Sequence, residues 1–287
     1  MSEKKWTVDI ICPLLNGRHY IEKLHQSFLM QKNITLNLVR YIVTDTGDGI
    51  DTVLDDLDHA VYRTIPKEEF SHSKTREEEA MNSDADIIVF VTQDVRIERD
   101  DWLEQLIEPI ISEECEASYS RQICTEPIIE KYIREFNYPE DSFVKTSATV
   151  SDKGLNTFFF SNVSSAVLRN LFVSLNGYDG KLFSSNEDMY FAYKLIMNGY
   201  RIKYCSNSVV THYHTYSFPE LYRRYYLSGR FFKECPQLKQ YKASASGRGL
   251  AGYVFRRAFE ERNYRVLLRF LPDMSARYLG MKAGQLL

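Results

Sequence analysis

Three short stretches hold residues that could do chemistry together. The first is Thr92-Gln93-Asp94, which ends the apolar run Ile87-Ile88-Val89-Phe90-Val91. A carboxylate at the tip of a buried strand can meet a metal ion or cap a turn before Arg96. Two further polar clusters follow apolar runs: Pro13-Leu14-Leu15-Asn16 and Asp45-Thr46-Gly47-Asp48. His72, Lys74 and Arg76 add donors and positive charge suited to a diphosphate. The second stretch is Glu187-Asp188, at the start of a segment with helical spacing that runs to Gly199. The two acids would occupy the first turn of that helix, where they could do chemistry or simply complement the helix dipole. Asn186 is a suitable side-chain cap for that helix. The third stretch is Thr211-His212-Tyr213-His214. Its two histidines point the same way if a strand continues through them, and could ligate a metal or fill surface and core roles.

These residues need elements to hold them. Val8 to Cys12 reads as a strand ending at Pro13, followed by helical spacing from Arg18 to Met30. Leu38 to Thr44 and Ala60 to Ile65 read as strands, with a short helix over Ile50 to Leu57 between them. A helix through Arg76 to Met81 precedes the apolar strand, and an amphipathic helix over Asp101 to Ile111 follows it, with Trp102 packing its start. This alternation predicts a mostly parallel sheet flanked by helices, with the strand tips sharing one crevice. Further on, Thr157–Phe160, Ile202–Cys205 and Ser208–Thr211 read as strand pieces. Asp188–Asn198 and Phe218–Cys235 read as helices. Arg121-Gln122 and Ser161-Asn162 could face a ligand or close the sheet. Tyr222-Arg223-Arg224-Tyr225-Tyr226 could line a groove or a solvated helix face.

Composition narrows the classes. The chain has 287 residues, with a net charge of −3 that argues against general nucleic-acid binding. Its five cysteines (Cys12, Cys115, Cys124, Cys205, Cys235) are widely spaced and include no CxxC, so a reducing compartment fits best. Neither a dinucleotide-binding GxGxxG nor a phosphate-loop GxxxxGK[ST] occurs. The N-terminus lacks a signal core, and no segment reaches the ~20 apolar residues of a membrane span. A boundary is expected at Lys242–Gly252. Beyond it, residues 247–287 carry eight basic residues against three acids, a net of +5 that leaves −8 on the rest. Such a tail could lie on an anionic membrane, or pack as a helical hairpin on the enzyme or a second subunit.

The order of these pieces resembles the family-2 glycosyltransferases, and more narrowly the bacterial rhamnosyltransferases of cell-wall and O-antigen polysaccharide assembly. The resemblance is carried by Phe70-Ser71-His72-Ser73-Lys74-Thr75-Arg76, Phe90-Val91-Thr92-Gln93-Asp94, Ser120-Arg121-Gln122 and Phe136-Asn137-Tyr138-Pro139. Ser161-Asn162, Glu187-Asp188-Met189, Gly199-Tyr200 and His212-Tyr213-His214 complete it, over about residues 6 to 235. It implies an α/β GT-A fold, Rossmann-like with a mostly parallel central sheet, over residues 1–245. A nucleotide-sugar half would occupy about 1–120 and an acceptor half 121–245, with a basic amphipathic helical extension at 246–287.

The resemblance also implies roles. Pro13, Asn16, Asp45, His72, Lys74, Arg76, Thr92, Gln93, Asp94 and Arg121 would bind the donor. Ser161 and Asn162 would bind the acceptor. Asp188 would be the base, with Glu187 beside it. Asp94, His212 and His214 would hold a divalent cation, Mn²⁺ or Mg²⁺. Asp94 stands at the last position of a DxD motif whose first position is Thr92, so this chain has one acid where the motif usually has two.

The expected reaction is inverting transfer of L-rhamnose from dTDP-β-L-rhamnose to a lipid-linked saccharide, giving an α-rhamnoside. A UDP-hexose donor is the alternative. A sugar nucleotidyltransferase ranks below it because the glycine-rich phosphate loop is missing, and a carbohydrate-binding module is disfavoured by the strand–helix alternation. The expected setting is the cytoplasm, at the inner face of the plasma membrane through peripheral contact, as a monomer or homo-oligomer and without nucleic acid.

Overall fold

The computed structural model describes residues 4–241 and 246–287. β1 (Thr7–Leu15), α1 (Arg18–Leu29), β2 (Thr35–Thr44), α2 (Asp51–Leu54) and β3 (Ala60–Ile65) come first. They are followed by α3 (His72–Asn82), β4 (Ile87–Val91), α4 (Trp102–Ile111) and β5 (Ala117–Ile123). Next are α5 (Ile129–Asn137), β6 (Phe143–Lys145), α6 (Val150–Lys153), β7 (Ser164–Leu168) and α7 (Arg169–Ser174). The chain finishes with α8 (Glu187–Met197), β8 (Ile202–Thr211), α9 (Phe218–Glu234), α10 (Ser246–Glu260) and α11 (Tyr264–Leu286).

The strands form one sheet in the order β3-β2-β1-β4-β7-β5-β8-β6. Pairings within β3-β2-β1-β4 and between β5 and β8 are parallel, while β7 runs antiparallel to both neighbours and β6 antiparallel to β8. Successive side chains of a strand leave on opposite faces. In β1 and β4, Ile11, Ile88 and Phe90 therefore join the core on one face, and Ile10, Cys12, Val89 and Val91 the core on the other. Both faces are covered, which is why these strands are continuous apolar runs.

Several expectations are corrected. β1 continues through Pro13, paired with Ile42; its pairing with β4 stops at Ile11, so a missing N–H is tolerated there. Thr157–Phe160 is not a strand: Leu155–Phe158 is a short 3-10 helix, and Thr157 and Phe158 are buried in it. The segment from Ile50 is helical only over Asp51–Leu54. Ile202–Cys205 and Ser208–Thr211 are one strand interrupted by a bulge, where the partners of Ser120 and Arg121 jump from Cys205 to Val209. The bulge re-aims the strand so that Thr211 bridges Arg96, just after the strand tip that carries Asp94. The later part of the expected boundary, from Ser246 to Gly252, is helical, and residues 242–245 lie outside the described residues.

The tail has no core of its own. Val254, Ala258 and Val266 are buried with Tyr132 and Ile133 of α5, and α11 lies along α9. A Cβ at Gly280 or Gly284 would collide with the backbone oxygen of Tyr222 or Tyr226. The tyrosine-rich run of α9 is thus the seat of α11, because glycines let the two backbones touch.

Candidate functional site

The tips of β2, β1 and β4 are neighbours in the sheet, so their polar clusters meet at one edge. Gln93 ties two of them: Leu15 N–H donates to its Oε1 and its Nε2 donates to Leu15 O, both at 2.8 Å. Its amide is occupied in holding the loop that carries Asn16, which is exposed with φ +50°. Pro13 is buried below that loop. Asp45 is exposed and accepts from Gly47 N–H at 3.1 Å, shaping its own turn. Thr92 Oγ1 is buried beside Asp94, and its hydroxyl helps to hold that carboxylate ionised.

Asp94, His212 and His214 converge although no strand continues past Thr211. His214 Nε2 stands 3.2 Å from Asp94 Oδ2 and 3.1 Å from His212 Nε2, and His212 Nε2 lies 3.6 Å from the same carboxylate oxygen. Neighbouring ligands of a six-coordinate ion with bonds of about 2.1 Å stand ~3.0 Å apart, so the triangle fits a divalent cation. Burial pushes the Asp94 carboxyl up, but His212 and then His214 outweigh it and hold the group well below the usual carboxylate range. Burial also pushes both imidazoles down. The rings attract Asp94 fully only when protonated, which their own burial opposes; common to both trends is an ionised Asp94. Ionised carboxylate and neutral imidazole are the forms that ligate metals.

The second centre lies at the start of α8. Asn186 precedes it at φ +62° and makes no side-chain cap, contrary to expectation; its Oδ1 instead accepts from Ser228 of α9 at 3.3 Å. Glu187 is buried and accepts from Arg76 Nη1 at 3.3 Å and Asn162 Nδ2 at 3.2 Å. Asp188 accepts from Met189 N–H at 2.8 Å and Asn162 N–H at 3.3 Å. Surrounding protein, then the charge of Glu187, pushes the Asp188 carboxyl up to about 7. The side chain is nonetheless only half-buried, so it sits deep in a crevice that solvent still reaches.

Arg76, buried in α3, also donates to His72 O at 3.0 Å, and its Nε has no partner. Cys12 feels the charges of both Arg76 and Asp94, which places the two centres around the same end of β1. His72 presents ring surface yet is hemmed in by protein, and burial pushes its pKa down. Lys74 turns to Glu78 at 3.6 Å.

Among the other expected residues, Arg121 pairs with Glu140 at 3.4 Å, and Ser161 accepts from Gln122 Nε2 at 2.8 Å. Asn162 is buried, with Tyr178, Glu187, Asp188 and Ser165 as partners, so its polar atoms hold the two acids in place. Arg134, to which no role attaches from sequence, lies 3.4 Å from His212 Nδ1, with Gln122 Oε1 at 3.1 Å from the same nitrogen. Arg224 was seen only within the tyrosine-rich run. It donates to Tyr216 OH at 2.9 Å and lies within electrostatic reach of His72, His212 and His214. The only signal for Arg134 was its spacing to Glu130, which also describes an ordinary solvated helix pair.

Known proteins bear on this arrangement. Residues 9–175 match the family model Glycosyl transferase family 2. O-antigen chain rhamnosyltransferase RfbN of Salmonella typhimurium is 30% identical over 262 residues, covering 88% of this chain and 82% of that protein. O-antigen chain rhamnosyltransferase WbaN of Salmonella anatum is 29% identical over 225 residues, covering 77% and 71%. Among solved structures, the mannosyltransferase PcManGT of Pyrobaculum calidifontis, in complex with GDP-Man and Mn²⁺, superposes with a TM-score of 0.66 at 15% identity, over 99% of this chain and 88% of that one. S. aureus TarS 1-349 in complex with UDP-GlcNAc gives 0.56 at 16% identity, over 88% and 72%. At these identities the likeness concerns the fold, which is GT-A.

Proposed function

The chain belongs to glycosyl transferase family 2 and is a glycosyltransferase; from that premise we propose that it moves L-rhamnose from dTDP-β-L-rhamnose to a hydroxyl of a lipid-linked saccharide, with inversion. The observation that carries the chemistry is a half-buried carboxyl raised to about 7, connected through Asn162, Ser161 and Gln122 to the histidines that surround an ionised carboxylate. The sugar is supported by the two relatives, each named as an O-antigen chain rhamnosyltransferase.

In this reading the acceptor hydroxyl attacks the anomeric carbon on the face opposite the diphosphate. Asp188 takes the hydroxyl proton as the new C–O bond forms and the bond to the diphosphate breaks. The charge of Glu187 keeps Asp188 basic, and Arg76 holds Glu187 in place through their ion pair. Negative charge grows on the departing dTDP, and Arg224 stands within reach to stabilise it. Asp94, His212 and His214 would hold the divalent cation, Mn²⁺ or Mg²⁺, whose chemistry is Lewis-acid stabilisation of the diphosphate. Asn16 and Asp45 are exposed at the strand tips and would meet the nucleoside. Asn162 and Gln93, spent on internal bonds, position other residues.

The test is nucleotide release from dTDP-rhamnose, UDP-GlcNAc, UDP-glucose and UDP-galactose, each alone and with a lipid-linked saccharide. Release from dTDP-rhamnose at least tenfold faster than from the UDP-sugars is expected. A preference for a UDP-hexose moves the chain to the alternative donor class.

Membrane contact through the tail belongs to the same reading. At 100° per residue, the α11 residues that pack inward (Val266, Asp273, Ala276, Gly280, Gly284) share one side. Tyr264, Leu268, Leu271, Tyr278 and Leu286 share the opposite side and are 64–81% exposed. Phe255 and Phe259 of α10 are exposed as well, and Arg256, Arg262 and Lys282 lie in the same solvent-facing tail. An apolar stripe with basic flanks suits an anionic bilayer surface. The double variant Leu268→Glu/Leu271→Glu is expected to cut co-sedimentation with phosphatidylglycerol-containing vesicles at least tenfold. Undiminished binding rejects this surface.

A further inference from the structure

The inward side of α11 has an unassigned feature. Between α5, the loop after β8 and α11 lies a cavity of about 220 Å³, reaching His214 at one end. Three carboxylates (Glu126, Glu130, Asp273) and three guanidiniums (Arg265, Arg269, Arg277) line it. The charges cancel, and two of the pairs are already made: Arg269 to Asp273 and Arg277 to Glu130, both at 3.1 Å. A diphosphate would find no net attraction there and would meet three acids.

A neutral ligand rich in hydroxyls has the opposite experience. A carboxylate already holding one guanidinium keeps lone pairs free, and a hydroxyl both donates and accepts. Tyr216, Leu221 and Val266 supply the apolar patches that the C–H faces of a pyranose cover. The volume is below the ~300–1,000 Å³ of pockets for drug-sized ligands, which suits one ring and not an oligosaccharide. Because the cavity borders His214, a ring seated in it lies beside the metal-ligand cluster. Much of its wall comes from α11, outside residues 9–175 that match the family.

We propose that this cavity is a subsite for one neutral pyranose ring of the acceptor, built by the C-terminal helix and resting on the glycosyl-transfer reading above. The tail then has two sides with different tasks: the outer faces the lipid surface and the inner seats the sugar delivered from it.

Arg265 allows a clean test, since it is exposed and its side chain makes no hydrogen bond or ion pair with any described residue. The probes are the methyl α-glycosides of L-rhamnose, D-mannose, D-galactose and D-glucose, followed by saturation-transfer NMR on the full chain. At least one glycoside should bind the wild type at millimolar concentration. Arg265→Trp, which fills the mouth, and Asp273→Asn, which keeps the shape but removes the charge, should each weaken that binding at least fivefold. Thermal melting confirms that each variant is folded. Acceptor-independent nucleotide release by Arg265→Trp should stay within twofold of wild type. No glycoside binding to the wild type, or binding that neither variant alters, overturns the subsite. Wild type that binds a glycoside at this cavity but releases no nucleotide from any donor leaves the subsite standing and rejects the transferase mechanism.

Discussion

Asp188→Asn is expected to lower the transfer rate by about 10²–10⁴-fold, the usual range for removing a positioned proton acceptor, while donor affinity stays near wild type. The amide keeps the size of the carboxyl and an oxygen to accept from Asn162 or Met189 N–H, so loss of activity would report loss of the base and not of the crevice. The pH profile gives the independent readout. Burial and the neighbouring Glu187 raise the Asp188 carboxyl to about 7. A base works only when deprotonated, so wild-type kcat should climb about tenfold per pH unit below that value and level off above it. Glu187→Gln removes the second of the two raising causes, so the acidic limb should move to lower pH. Steady-state rates of Asp188→Asn and Glu187→Gln between pH 5 and 9, with donor affinity by calorimetry, check all three outcomes. Turnover by Asp188→Asn within tenfold of wild type would remove Asp188 from the base role.

The parts of this molecule that were legible in its sequence are those where one local pattern has one physical meaning. Ile87–Val91, five apolar residues rich in β-branched side chains, reads as a strand buried on both faces, and Tyr20, Ile21, Leu24 and Phe28 read as one side of a helix. What stayed hidden depends on partners far along the chain. Ala117–Ile123 is strand β5, yet its Ser, Arg and Gln look like loop; Ser120 is satisfied by Trp102, Ser164 and Ser208, and Gln122 by His212. Thr157–Phe160 has strand composition, but Phe158 is buried from a 3-10 turn and Phe160 from the loop after it, so tertiary packing overrides propensity. The candidate site divides in the same way. The acids and histidines of the proposed site stand out by type, whereas the bonds of Gln93 and Asn162 to backbone and carboxylates could be seen only in the structure. Arg224 was masked by its tyrosine-rich neighbours because only the turn after β8 brings Tyr216 and the histidines to it.

That pairing of a single acid with two histidines carries the second large effect. With Thr92 in place of a first acid, Asp94 supplies the only carboxylate among the three converging side chains of the proposed metal site, and His212 and His214 complete the triangle. Asp94→Ala leaves two neutral imidazoles, which favour Zn²⁺, Cu or Ni over the hard ions Mg²⁺ and Mn²⁺. Mn²⁺ binding, read by the electron paramagnetic resonance of the free ion, should weaken at least tenfold. Transfer should fall by about 10²–10³-fold, comparable to losing one preorganised group that stabilises transition-state charge. EDTA should do the same to the wild type, with recovery on adding Mn²⁺. His214→Ala offers a graded contrast, since that ring is the more exposed of the two and is not braced as His212 is by Gln122 and Arg134. It should weaken Mn²⁺ without disturbing the fold. If EDTA leaves nucleotide release intact and Asp94→Ala binds Mn²⁺ as the wild type does, the cluster is no metal site. The growing charge of the diphosphate would then have to be met by cationic side chains, Arg224 first, and Arg224→Ala would become the variant with the larger loss.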